Sequence, residues 1–207
     1  MLKFADFNHL PQLDPLIARL IAEKPGLVVV AGMDPNPVSG EWLAGEVFLP
    51  SGRPSIFSML AQQMVSEHPG ERAVVLTRNK ELLRVPRQLK RRIAIAEVEE
   101  PISLADRAAQ VISSHPDLLI VDQLDPESAQ VVIEGLRSGI RVLSQIDTIA
   151  WGAGVMRELE DIGIAWDNLA CPTWVVTVKR MPRLCQNCRS PLGGRRSDAP
   201  THRYALD

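Results

Sequence analysis

Apolar side chains cluster in five short runs, at residues 27–31, 73–77, 118–122, 142–146 and 175–179, each followed by a polar or turn-rich break. Four of the runs are apolar at nearly every position, which a strand tolerates only where both of its faces are covered. Between the runs, residues 56–67, 103–113, 127–137 and 153–161 carry apolar residues at spacings of three and four, as amphipathic crossover helices do. The alternation predicts an α/β domain with a mainly parallel sheet and helices on both faces. Helix punctuation agrees with it. Ser103 stands where an N-cap belongs, Asp125-Pro126-Glu127 supplies an acceptor, a preset φ and an acidic first turn, and Gly139 closes the helix that follows. Two stretches fall outside the scheme. Residues 33–52 are rich in proline and glycine and long for a connection, and residues 192–207 are basic, then polar, with no period. The expectation is one domain over 1–191 with an insertion at about 33–52, then a flexible tail at 192–207.

Composition narrows the function classes. The 207 residues are 45% apolar and carry 23 basic against 25 acidic side chains, a net charge of −2. Without a basic field, bulk electrostatic binding of nucleic acid or anionic lipid is disfavoured. No apolar run approaches the roughly 18 residues of a membrane helix, and Met1 to Leu10 lack a basic segment followed by an apolar one, so a cytoplasmic chain without membrane insertion is expected. Three cysteines are too few for a disulfide framework and suit a reducing compartment.

Ligands of α/β sheets bind beyond the carboxyl ends of the strands, so the residues after each run are the ones to interrogate. After Ala31-Gly32, residues 33–40 have the position of a phosphate-binding loop but little of its chemistry. Pro35 and Pro37 remove N–H donors, and no lysine appears. A second partial match is Leu49-Pro50-Ser51-Gly52-Arg53-Pro54-Ser55, just before the helix at 56–67.

From about Leu10 to Leu192 the chain resembles the ATPase domain of the type II secretion and type IV pilus assembly motors, a group that includes retraction ATPases. The resemblance rests on Gly26-Leu27-Val28-Val29-Val30-Ala31-Gly32, on His115-Pro116-Asp117-Leu118-Leu119-Ile120-Val121, and on Asp125-Pro126-Glu127-Ser128-Ala129. Gly139-Ile140-Arg141-Val142-Leu143-Ser144 and Arg183-Leu184-Cys185-Gln186-Asn187-Cys188 complete it, in the family's order and spacing. It implies a RecA-like P-loop NTPase fold, hexameric rings, and ATP hydrolysis coupled to movement of an inner-membrane platform.

Matched one by one, the family's functional positions are degenerate. The phosphate-loop lysine falls at Arg53 and the magnesium-binding hydroxyl at Pro54. Where the resemblance implies Glu-Asp-Pro after the second strand, the chain has Arg78-Asn79-Lys80. Gln123 stands for the water-polarising glutamate and can hydrogen-bond water but not take its proton. Asp147 replaces a nucleotide-sensing histidine, and the arginines implied before His115 fall at Ala109 and Ser113. Phosphoryl transfer is almost wholly positioning and charge stabilisation, so joint loss of these parts predicts a pseudo-ATPase. Nucleotide binding without turnover stays open, with Gly52, Arg53, Ser55 and Asp122 as the residues to hold ATP and magnesium. So does an active enzyme with a non-standard loop in which Arg53 serves for the lysine and Asp122 for the metal-side carboxylate. The resemblance implies a preceding domain that closes over nucleotide, and with the match beginning at about Leu10 no room for it is expected.

The remaining candidates weigh against bland readings. Cys185 and Cys188 have metal-ligand spacing, half of a zinc module in many family members, but zinc wants four ligands and Cys171 and His202 are the other donors nearby, so zinc is disfavoured. Cys171 reads as a small buried thiol. Glu97, Glu99 and Glu100 read as a solvated acidic surface in a loop, and Lys90-Arg91-Arg92, with Arg84 and Arg87, as a basic run without the interleaved aromatics of a nucleic-acid site. Trp151, Trp166 and Trp174 read as core, and Trp42 in the insertion as a protein contact. The partners expected from the resemblance are an active ATPase paralogue or the inner-membrane platform, with a ring assembly and a peripheral place at the inner membrane.

Overall fold

The computed structural model describes residues 12–23, 26–34, 51–79, 89, 91–165 and 171–179. Six strands make one sheet: β1 (Leu27–Gly32), β2 (Ala73–Thr77), β3 (Ile93–Glu97), β4 (Leu118–Val121), β5 (Arg141–Asp147) and β6 (Thr173–Thr177). Their order is β3-β2-β4-β5-β1-β6, and every neighbouring pair is parallel. The helices are α1 (Leu13–Ala22), α2 (Arg53–Glu67), α3 (Leu104–Ser113), α4 (Pro126–Arg137) and α5 (Ala153–Asp161).

The two-sided burial expected from consecutive apolar positions is seen along β1, whose residues are all buried. Successive side chains point to opposite faces, so one strand feeds two cores. Leu27, Val29 and Ala31 pack with α3, α4 and α5, while Val28 and Val30 pack with α1 and α2. Leu119 and Leu143, both fully buried, each contribute about 1.5–3 kcal/mol by leaving water.

Helix starts follow the sequence signals. The Ser103 hydroxyl caps α3 by accepting from the Asp106 N–H at 3.1 Å. At α4, Asp125 accepts from the Ser128 N–H at 2.8 Å while the Ser128 hydroxyl accepts from the Asp125 N–H at 2.9 Å, a reciprocal cap. Two arginines, Arg141 buried and Arg92 half-buried, tie the layers together at helix ends. Arg141 donates to the Leu20 carbonyl in α1, and Arg92 to the carbonyls of Val65 and His68 at the end of α2. Such carbonyls have no intrahelical partner, which is why a guanidinium is welcome there.

Several expectations need correction. The sheet has six strands, because residues 93–97, between a basic run and an acidic one, form β3. At the sheet edge Ala94 and Ile95 are exposed, and the short apolar run at residues 93–96 is overshadowed in the sequence by the charges on either side. Glu97 accordingly ends a strand and does not lie in a loop. Helix α1 adds an element before the first strand, and the last strand begins at Thr173, two residues earlier than its apolar run. Trp151 is 51% exposed, with the Lys179 ammonium 4.8 Å from its ring centroid, and does not join the core. Trp174 is half-buried, and its indole N–H donates to Glu23 at 2.6 Å. That bond, then Arg19, lowers the Glu23 pKa. Cys171 is half-buried, and burial raises its thiol pKa. Most of the insertion (35–50), Trp42, Arg84, Arg87, Lys90, Trp166, Cys185, Cys188, His202 and the tail lie outside the described residues.

Candidate functional site

The carboxyl ends of β1, β4 and β5 meet the start of α2, and four polar side chains converge there. Asp34 follows β1, Arg53 opens α2, Gln123 follows β4, and Asp147 ends β5. Arg53 is only 6% exposed. Its Nε donates to Asp34 Oδ2 at 3.4 Å, its Nη1 to Gln123 Oε1 at 3.2 Å, and its Nη2 lies 3.9 Å from Asp147 Oδ2. The residue at the lysine position is thus held by two carboxylates and an amide of its own chain.

Asp34 is the organiser. Its Oδ1 accepts from the Ser51 N–H at 2.7 Å and the Ser51 hydroxyl at 3.0 Å, and its own N–H donates to Asp147 Oδ1 at 3.0 Å. These bonds pin the start of α2 against the ends of β1 and β5. Gly32 permits the close approach, since a Cβ there would lie 2.7 Å from the Val178 carbonyl oxygen and 2.9 Å from Ser51 Oγ. Gly52, at φ 85°, makes the left-handed turn into α2 that side chains resist.

The first turn of α2 has its amides occupied. The Arg53 N–H donates to Ser51 Oγ at 3.0 Å, Pro54 has no N–H, and the N–H groups of Ser55 and Ile56 both donate to the Gly52 carbonyl, at 3.0 and 3.1 Å. The Ser55 side chain is exposed. A helix start attracts anions through amides without partners, and these have partners.

A second cluster lies one strand further along the sheet. Asp122, in the bend after β4, accepts from the Thr77 hydroxyl, and Thr77 Oγ1 also accepts from the Asn79 N–H at 2.9 Å. Burial raises the Asp122 pKa, with the Thr77 bond working against it. Arg78 turns to α4 and donates to Asp125 at 2.7 Å and to Glu127 at 2.6 Å. At Asp125 burial pushes the pKa up, but the Ser128 N–H and Arg78 outweigh it and the net shift is down. Strand β5 separates β4 from β1, and Asp122 bonds to Thr77 while Arg53 bonds to Asp34 and Gln123.

The structure therefore joins Gly52, Arg53, Gln123 and Asp147 in one cluster and places Asp122, Arg78 and Asn79 in another. Asp34 and Ser51 were missed as site residues. Their signal was present: a carboxylate after the first strand and a hydroxyl before the second partial loop match, awaiting the buried arginine. Among the described residues no group of three or more His, Cys, Asp or Glu is arranged to hold a metal ion.

Neither a protein-family model nor a curated protein matches the chain. Solved structures do. The VirB11 ATPase of the Brucella suis type IV secretion system, in complex with sulphate, is 12% identical at a TM-score of 0.54, over 81% of this chain and 44% of that one. The pilus retraction motor PilT with bound ADP is 17% identical at 0.51, over 75% of this chain and 40% of that one. The Legionella pneumophila ATPase DotB is 19% identical at 0.48, over 76% of this chain and 40% of that one. The chain thus spans less than half the length of each. The first two carry the comparison, and with the six-stranded parallel sheet they establish that this chain has the RecA-like α/β fold of secretion and pilus ATPases.

Proposed function

We propose that this chain is a non-hydrolysing relative of the type II secretion and type IV pilus assembly ATPases, a binding or regulatory component of a secretion or pilus machine. The observation that carries the reading is the burial of Arg53 against Asp34, Gln123 and Asp147. An arriving phosphate must displace those carboxylates, and the cluster's formal charge is one guanidinium against two carboxylates. It must also find amides at the start of α2, where the N–H groups of Arg53, Ser55 and Ile56 are already bonded. The VirB11 structure holds sulphate and the PilT structure holds ADP, the ligands this cluster would have to admit.

Hydrolysis needs a group to orient and deprotonate water beside the terminal phosphate. Gln123 has no proton-accepting function, and its amide oxygen is engaged by Arg53. Pro54 offers no hydroxyl to magnesium. Asp122, the remaining carboxylate at a strand end, is bonded to Thr77 and raised in pKa by burial, so it is a poor metal ligand as it stands. In this reading the domain keeps the outer surfaces of a ring ATPase and loses its engine. Its partners are an active ATPase paralogue or the inner-membrane platform, met from the cytoplasmic side. No described helix is long and apolar enough to cross a membrane.

The test is calorimetric titration with ATP and a non-hydrolysable analogue, with and without magnesium, followed by phosphate release on the same sample. Absence of binding is the expected result. Binding without release selects a nucleotide sensor, and magnesium-dependent binding with release overturns the proposal.

A further inference from the structure

We propose that the outer edge of β3 is a self-pairing surface, on which two copies of this chain join their sheets antiparallel about a two-fold axis at Ile95. The inference rests on β3 alone and is independent of what the cluster around Arg53 binds.

Strand β3 lies at one end of the sheet, and among the described residues no further strand lies on its outer side. Edge strands are usually guarded by proline, lysine or inward-pointing charge. Residues 93–96 are Ile-Ala-Ile-Ala, and Ile95 is 44% exposed. The backbone phase follows from one bond. The Val98 N–H donates to the Thr77 carbonyl in β2, so residues 94, 96 and 98 direct their N–H and C=O groups inward. Those of Ile93, Ile95 and Glu97 therefore face out.

That phase selects a register. In a two-fold antiparallel pair centred on Ile95, residue 95 faces its own copy, and residues 93 and 97 face each other. All three pairs are then of the hydrogen-bonded kind, each exchanging two N–H···O=C bonds. Ile95 packs on Ile95 across the axis, on the face of the sheet that Ile93 shares. The strand is basic before it and acidic after it, so antiparallel pairing joins unlike charges. Strand β6, the other edge, has no acidic residue from Cys171 to Lys179 and lacks this complementarity.

A five-residue edge is small beside a standard interface of about 1,600 Å², so the dimer is weak and dissociates on dilution. Sedimentation of the full chain from about 10 µM to about 1 mM, the range of such affinities, is expected to show the mass climb from one chain to two. Ile95→Lys, which puts two ammonium groups on the axis, is expected to stay monomeric while keeping its circular dichroism spectrum. With Cys171, Cys185 and Cys188 changed to Ser, Ile95→Cys is expected to oxidise to a covalent dimer, because Cα atoms of such a pair lie about 5.5 Å apart, within disulfide reach. Ala94→Cys in that background is expected not to cross-link, since its two copies lie beyond about 7 Å. A mass of one chain throughout overturns the proposal. So does association that Ile95→Lys leaves intact, cross-linking that does not distinguish residues 94 and 95, or open-ended assembly.

Discussion

Replacing Arg53 by methionine tests whether the buried cluster is held by the pairing its contacts describe. The substitution keeps an unbranched side chain of similar length but removes the cation between Asp34 and Asp147. Breaking a buried ion pair by deleting one partner costs about 3–5 kcal/mol, mostly from the charge left behind. Here Asp34 and Asp147 are 19% and 41% exposed, so water reaches both and the expected cost falls to about 2–3 kcal/mol. With a urea dependence of about 2 kcal/mol per M, the unfolding midpoint drops by about 1–1.5 M. The informative comparison adds Asp34→Asn and Asp147→Asn to Arg53→Met. A neutral cluster of similar volume returns most of the loss, to within about 1 kcal/mol of the parent, because no buried charge remains unpaired. A loss under about 0.5 kcal/mol for the single variant, or a triple variant as unstable as the summed singles, would refute the pairing. It would also remove the observation on which the non-hydrolysing reading stands.

Four further substitutions probe the frame around the cluster. Gly32→Ala forces a Cβ to 2.7 Å from the Val178 carbonyl, which backbone cannot yield, and should cost about 1–3 kcal/mol in urea unfolding. Asp125→Ala should cost about 1–2 kcal/mol by losing the α4 cap. Because the folded Asp125 pKa is lowered, its stabilisation is full above the unfolded carboxylate value near about 3.9 and lost as pH falls through the folded value, so parent and variant should converge in acid. Asp122 has the opposite sign: its folded pKa is raised, so the parent loses stability as pH climbs from about 3.9 through the folded value. Asp122→Asn, which keeps an acceptor for Thr77, should gain on the parent over that climb, read by urea midpoints across the pH range. Arg141 is buried with its Nε and Nη1 unpartnered, but its Nη2 donates to the Leu20 carbonyl at the end of α1, so Arg141→Met should lower stability by the about 1–3 kcal/mol of an orphaned carbonyl, less what the desolvated cation had cost, read by urea midpoints.

What the sequence revealed was set by burial. Strands β1, β2, β4 and β5 are covered on both faces, and their continuous apolar runs stand out against any background. The caps at Ser103 and Asp125 are local chemistry, complete within four residues, and they too were legible. Strand β3 was missed although residues 93–96 are all apolar, because the run is short, half of it is alanine, and the charged runs on either side dominate the reading. Trp151 was misassigned for the converse reason: it neighbours apolar residues in sequence while the loop carries it outward. The site is the least legible part. Arg53, Gln123 and Asp147 were singled out one at a time as replacements, whereas their meaning lies in contacts between residues 34, 53, 123 and 147, on four different elements.

Those contacts change what the replacements imply. A phosphate site that had simply decayed should leave polar groups orphaned in a dry interior, each costing about 1–3 kcal/mol. The buried side-chain atoms without partners among the described residues belong to Arg92, Arg107, Arg141 and Gln145, and none to Asp34, Arg53, Gln123 or Asp147. Arg53 is matched by Asp34, Asp147 and Gln123. Arg78, the cation where an acidic segment was expected, is matched by Asp125 and Glu127. These side chains form two networks that bind the carboxyl ends of β1, β2, β4 and β5 to the starts of α2 and α4. In an ATPase that edge must stay open to nucleotide. Here it is cross-braced by side chains of the chain itself, which supports the proposal of a non-hydrolysing domain.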